Sequence, residues 1–326
     1  MKGKYNIRIW NRRLEYRLEI KRNVTIIKGF GATGKSTLIE LLDDWLMLGR
    51  KSGVKCETNA KIAVFDMKTK WKSELKNLDN TIIFVDESAE YLYIPDFAQA
   101  FEASNNYIVI LTRGSMHHFH YSSDEIYELE TVKGVKQNIT TMRKRYEDIK
   151  CELDPELIIT EDSGLGNTLI KEYFNCDIEA ANGNGNINNM IQKFKYKYHC
   201  IFVIVDGAEY GSYIEKTFLI SEGFNIHIYA PESFEYLILN TEKMQRYCKD
   251  KLENVIDLCD FNKYLTYERY YTEVLNNLCK QNIGIGYDKN SKNKKLTEYF
   301  QANKVPEGIK NQIVEDNFYH TTQNLI

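Results

Sequence analysis

VTIIKGFGATGKSTLIELL, running from Val24 to Leu42, decides how the rest of the chain is read. Val24, Thr25, Ile26 and Ile27 are apolar or β-branched and predict a buried strand. Gly29, Gly34, Lys35 and Ser36 then fill the pattern G-x-x-x-x-G-K-[ST], and apolar residues at helical spacing follow. The loop Gly29-Phe30-Gly31-Ala32-Thr33-Gly34-Lys35-Ser36-Thr37 suits phosphate for reasons of backbone geometry. Its glycines let successive N–H groups turn inward around an anion, and the helix starting near Lys35 adds the positive end of its dipole. Lys35 is expected to reach the β- and γ-phosphates of a nucleotide, and the Ser36 hydroxyl to ligate Mg²⁺. Gly29, Gly31 and Gly34 also satisfy G-x-G-x-x-G, but Lys35-Ser36 decides against a dinucleotide turn. Such a turn wants no lysine there and places an acid at the end of the next strand.

The chain has 326 residues, for which two domains are the natural expectation. With 43% hydrophobic residues it has enough apolar side chains for packed cores. A net charge of −3 and a pI near 6.1 announce neither a nucleic acid nor a membrane as partner, so any basic surface must be local. Seven scattered cysteines without a C-x-x-C pair fit reduced thiols in a cytoplasm. The charged stretch MKGKYNIRIWNRRLEYRLEI lacks the apolar core of a signal peptide, and no run approaches the ~20 apolar residues of a membrane span. A soluble, intracellular protein is expected.

Tyr5 to Trp10 and Leu14 to Ile20 alternate apolar and polar residues across Asn11-Arg12-Arg13 and predict a hairpin. KIAVFDM (Lys61–Met67), TIIFVD (Thr81–Asp86) and YIVIL (Tyr107–Leu111) predict buried parallel strands. A strand that is hydrophobic to its end and then presents Asp86-Glu87 resembles the Walker B segment of ASCE-type P-loop ATPases. That resemblance implies that Asp86 holds Mg²⁺ and Glu87 polarises the attacking water. Arg113, after the following strand, stands where ABC ATPases carry histidine, and it is either a γ-phosphate sensor or a surface arginine. The hairpin lead-in also resembles ABC-type ATPases and their SMC and OLD relatives. The short interval between the two motifs and the absence of an LSGGQ-like signature set the chain apart from ABC ATPases proper. His117, His118 and His120 lack partners at zinc spacing and are read as a polar loop. Ile126–Val132 is expected as a closing strand and TTMRKRYEDIK (Thr140–Lys150) as a charged connector.

A second α/β series follows Asp154-Pro155. LIIT (Leu157–Thr160) ends in Glu161, CIFVIV (Cys200–Val205) ends in Asp206-Gly207-Ala208-Glu209, and the strand Phe224–Ala230 leads to Glu232 and Glu235. Asn182 to Asn189 is read as a loop, and KFKYKY (Lys193–Tyr198) as an amphipathic edge or a single-strand binding surface. Carboxylates gathered at strand ends suit Mg²⁺ for phosphodiester chemistry. This resembles the TOPRIM fold of topoisomerases, primases and OLD-family nucleases, in which a glutamate ends the first strand and Asp-x-Asp a later one. Glu161 and Asp206 match; the second aspartate falls on Ala208, and Glu209 is the nearest replacement.

The sequence thus predicts an α/β protein. A P-loop NTPase core with a mostly parallel sheet is expected over 1–145. A TOPRIM-like or Rossmann-like α/β domain is expected over 153–240, and a helical extension over 241–326 packed on it. The resemblance to OLD-family and related phage-defence proteins implies ATP and Mg²⁺ as cofactors, ATP hydrolysis, and nucleotide control of a second domain acting on nucleic acid. It also implies a homo-oligomer or a partner protein, and no membrane is expected. Two other readings stand beside it: a nucleotide-dependent protein- or DNA-binding module with a silent second domain, and a small-molecule kinase in which Lys35 and Arg113 hold donor and acceptor phosphates.

Overall fold

A computed structural model describes residues 1–29, 31, 33–291, 293–302 and 312–317. The chain divides into two compact units. The first comprises Met1–Tyr121, Glu125–Arg145 and Ile256–Leu265; the second comprises Ser122–Asp124, Tyr146–Val255 and the described residues from Thr266 on.

The first unit is built on a nine-stranded mixed sheet. Its elements in chain order are β1 (Tyr5–Trp10), β2 (Leu14–Ile20), β3 (Val24–Lys28), α1 (Lys35–Leu48), β4 (Lys55–Thr58), β5 (Lys61–Phe65), α2 (Trp71–Asn77), β6 (Thr81–Asp86), α3 (Pro95–Glu102), β7 (Tyr107–Thr112), β8 (Ile126–Val132) and β9 (Asn138–Lys144). The strand order is β4-β1-β2-β9-β8-β3-β7-β6-β5. From β8 to β5 every pairing is parallel. All residues of β3 and β7 are buried, as strands covered on both faces should be, and this explains why they read as unbroken apolar runs. The other half is a wing. β1 pairs antiparallel with β2 and β4, β8 antiparallel with β9, and β2 parallel with β9. The sheet is therefore largely parallel, as expected, and its antiparallel pairings come where the hairpin and a second strand pair extend it past β8.

The second unit contains β10 (Tyr146–Lys150), β11 (Leu157–Thr160), α4 (Leu165–Tyr173), β12 (Asp177–Ala180), α5 (Asn184–Phe194), β13 (Ile201–Ile204), α6 (Gly211–Ser221), β14 (Ile226–Tyr229), α7 (Phe234–Leu239) and α8 (Glu242–Glu253). After α9 (Val255–Leu258), whose last three residues belong to the first unit, come α10 (Tyr267–Ile283), α11 (Lys294–Gln301) and β15 (Gln312–Asp316). Strands β12-β11-β13-β14 form an all-parallel sheet whose two central members are buried throughout.

Three local expectations change. The segment read as a charged connector forms β9 and β10, and β10 pairs antiparallel with β15. The Asn/Gly tract read as a loop supplies the start of α5. Asn182 and Gly183 turn into it at φ 58° and 121°, and Ile187 and Ile191 bury one face one helical turn apart. The tail from 241 is not a purely helical extension of the second unit: Ile256–Leu265 belongs to the first, and Gln312–Asp316 is a strand. Among the described residues, no helix is long and apolar enough to cross a membrane.

Candidate functional site

The glycine-rich loop leaves β3 at Lys28 and enters α1 at Lys35. Phe30 and Ala32, read as phosphate contacts, lie outside the described residues. Gly34 caps the helix in the left-handed region at φ 90°, where a side chain would be strained; a Cβ there would also lie 2.8 Å from the Tyr16 hydroxyl. That hydroxyl, on β2, donates to the Gly34 carbonyl at 2.7 Å. Burial pushes Tyr16 up to about 12, so it stays a neutral donor. No side chain caps α1 and no acid sits in its first turn, which leaves the positive end of a 14-residue helix without a built-in anion. The chemistry of this cradle fits a phosphate group.

The Lys35 ammonium, which the same cradle surrounds, donates to the Gly29 carbonyl and, at 3.3 Å, to the Thr33 hydroxyl. Burial lowers its pKa and Arg113 works in the same direction, while Glu87 and Asp86 oppose the fall. These three groups arrive from neighbouring strands. Asp86 closes β6, Glu87 follows it, and Arg113 follows β7, the strand between β6 and β3. One intervening strand sets β6 about 10 Å from β3, room for a phosphate and a water between the lysine and the acids.

Asp86 accepts the Ser88 amide at 3.0 Å, and the Glu87 amide donates to Leu111 O at 3.0 Å, tying the acidic turn to β7. Both carboxylate oxygens of Glu87 are held by one residue. Arg113 Nε lies 3.0 Å from Oε1, and the Arg113 amide donates to Oε2 at 2.6 Å. Of the two readings of Arg113, the structure gives a third contact, a clamp on Glu87. Tyr93 stands beside Glu87, and its pKa rises mainly through burial. His120 hydrogen-bonds Glu102 at 2.8 Å. Among the described residues, no group of three or more His, Cys, Asp or Glu side chains is arranged to hold a metal ion.

In the second unit, Glu161 and Asp206 follow adjacent parallel strands, and the Asp206 amide donates to Glu161 Oε2 at 3.2 Å. Asp206 Oδ1 accepts the Phe234 amide at the start of α7 at 3.1 Å. Their carboxylate neighbours are only in part the expected ones: Glu235 is among those read at this edge, and Glu268 is not. Glu209 turns aside to accept from Thr266 at 3.4 Å, and Ala208 is packed at 3% exposure. Glu235 and Glu268 stand beside the pair instead, with Lys289 among them. Burial, then Glu268, raises Glu161 to about 7; burial with Glu268, Glu161 and Glu235 raises Asp206.

Local motifs pointed to Lys35, Asp86, Glu87, Glu161 and Asp206, whereas Tyr16, Glu268, Tyr287 and Lys289 escaped notice. Tyr16 sits in an ordinary alternating strand, and the other three lie in the tail, where no motif marks them. No family model matches the sequence, and neither a curated protein nor a solved structure matches it.

Proposed function

We propose that the chain is a Mg²⁺-dependent ATP hydrolase whose nucleotide state controls a TOPRIM-like second domain acting on nucleic acid. The observation that carries the first part is the meeting of Lys35, at an uncapped helix start, with Asp86, Glu87 and Arg113 from β6 and β7. Amides of the loop and α1 would bind the phosphates, and Lys35 would exchange Gly29 O and Thr33 for phosphate oxygens. Ser36 and Asp86 would hold Mg²⁺, which when bound would neutralise charge on the phosphate oxygens. Glu87, once released by Arg113, would orient the attacking water and draw off its proton, and the freed guanidinium would face the charge developing on the transferred phosphate.

Support for the second part is the acidic edge of the four-stranded parallel sheet, where Glu161 and Asp206 meet. ATP turnover by wild type, Lys35→Ala and Glu87→Gln, without any acceptor molecule, tests the hydrolase. Loss in both variants is expected, and equal turnover in all three refutes it. Incubation with plasmid DNA or RNA and Mg²⁺ or Mn²⁺ tests the second domain. Cleavage that survives Glu161→Ala and Asp206→Ala, or no cleavage at all, removes nuclease activity and leaves the binding-module reading.

A further inference from the structure

Among the described residues, the acidic centre of the second unit holds more carboxylates than cations. Glu161, Asp206, Glu235 and Glu268 interact with one another and with the ammonium group of Lys289, and the Arg269 guanidinium acts on Glu268 as well, so the four acids face two cations. Four neighbouring carboxylates in a desolvated site do not all ionise unless cations join them. Glu235 makes the imbalance concrete. The residue is 1% exposed; its Oε1 accepts from the Tyr287 hydroxyl at 2.9 Å, and its Oε2 is buried with no hydrogen-bond partner. A carboxylate oxygen left bare at that depth is unfavourable and calls for a cation or a proton.

Lys289 reaches the acids on a segment anchored at several points. Its carbonyl accepts the Leu165 amide at 2.8 Å, and a Cβ on Gly164 would lie 2.4 Å from that oxygen, so only glycine admits the approach. Tyr287, two residues earlier, is fixed by its amide to Asn276 Oδ1 at 3.0 Å and by its hydroxyl to Glu235. Lys289 Nζ then lies 3.3 Å from Glu268 Oε1, while 45% of its side chain remains exposed. The backbone is pinned, and the side chain is free to swing outward.

We propose that these four carboxylates form a divalent-cation site, with Glu235 and Glu268 as ligands beside Glu161 and Asp206, and that Lys289 is its internal plug. The proposal deepens the reading of the second unit given above. Hard carboxylate oxygens suit Mg²⁺ or Mn²⁺. Exchange of the ammonium for a divalent ion adds one positive charge to a site where acids outnumber cations. It also accounts for the finding that the described acids are not already arranged to hold a metal ion, since Lys289 pairs with Glu268 in the ion's place.

The test is a Mn²⁺ titration of the full chain without nucleotide, following the electron paramagnetic resonance signal of free Mn²⁺. Wild type is expected to bind weakly, and Lys289→Met to bind one Mn²⁺ at least tenfold more tightly. The double variant Lys289→Met/Glu235→Gln is expected to lose that gain. A Lys289→Met protein no tighter than wild type, or a gain that persists in the double variant, overturns the proposal. Should Lys289→Met fail to fold, Lys289→Gln takes its place, with thermal melting as second readout. Mn²⁺ is expected to raise the melting midpoint of Lys289→Gln more than that of wild type, and equal shifts overturn the plug. Because no nucleotide is present, a failed cation site and a failed ATP hydrolase are separate results. Cleavage of nucleic acid without any gain in Lys289→Met would sink the plug alone; a tight Mn²⁺ site without cleavage would sink the nuclease reading alone.

Discussion

Replacing Arg113 by alanine separates a structural ion pair from a group that acts on the transferred phosphate. Its side chain is 64% exposed and that of Glu87 is 27% exposed, so the 3.0 Å pair between them lies in largely screened surroundings. Such a pair contributes about 0.2–1 kcal/mol to stability. The Arg113 amide, which the substitution keeps, continues to hold Glu87 Oε2. Unfolding in urea should therefore change by less than about 1 kcal/mol. Turnover should respond far more: a preorganised cation facing transition-state charge is worth on the order of 10²–10³ in rate, about 3–4 kcal/mol. The assay is steady-state phosphate release at saturating Mg·ATP, alongside urea melts of both proteins. Turnover in Arg113→Ala equal to or above wild type would refute the reasoning, because Arg113 would then be only a brake on Glu87.

Three further outcomes follow from the same geometry. Tyr16→Phe removes the donor to Gly34 O, but that oxygen keeps the Leu38 amide at 3.0 Å, so about 1 kcal/mol should be lost, seen as a lower melting midpoint and several-fold weaker nucleotide binding. Unchanged values for both would exclude a role for Tyr16 in shaping the loop. Gly34→Ala meets both the left-handed backbone and the Tyr16 hydroxyl at 2.8 Å, so Tyr16→Phe should recover part of its stability loss in the double variant; strict additivity in the melts would contradict that contact. For pH, the folded pKa of Glu161 near 7 lies above its ordinary 4.5, so the native state holds the extra proton. Stability should then fall as pH rises from about 4.5 to about 7, by up to roughly 3 kcal/mol from this group. Glu161→Gln should flatten that slope in denaturant melts, and an unaltered slope would remove the effect.

Much of the parallel core was legible because burial on both faces writes an unbroken apolar run into the sequence, as in Thr81–Asp86 and Tyr107–Thr112. The antiparallel pairings were less so: β9 in the wing is largely half-exposed and β10 of the second unit largely exposed, and their charged residues resemble a linker. The start of α5 was hidden by composition. Asn and Gly suggest turns, but Asn188 is buried and accepts from the Thr217 hydroxyl at 2.9 Å, so tertiary packing overrides local preference. The candidate sites divide in the same way. Lys35, Asp86 and Glu87 sit in contiguous motifs, and strand ends advertise Glu161 and Asp206. Tyr16 reaches the loop across 18 residues and Tyr287 reaches Glu235 across 52, distances over which sequence pattern carries no contact information.

The central claim is that the loop from Gly29 to Thr37 receives the triphosphate of a magnesium-bound nucleotide. Calorimetric titration of a non-hydrolysable Mg·ATP analogue into wild type and Lys35→Ala measures it most directly. One site per chain is expected, weakened about tenfold or more in the variant, as the loss of a charge-assisted hydrogen bond of about 1.5–3 kcal/mol requires. No binding to wild type, or equal affinity in the two proteins, would contradict it.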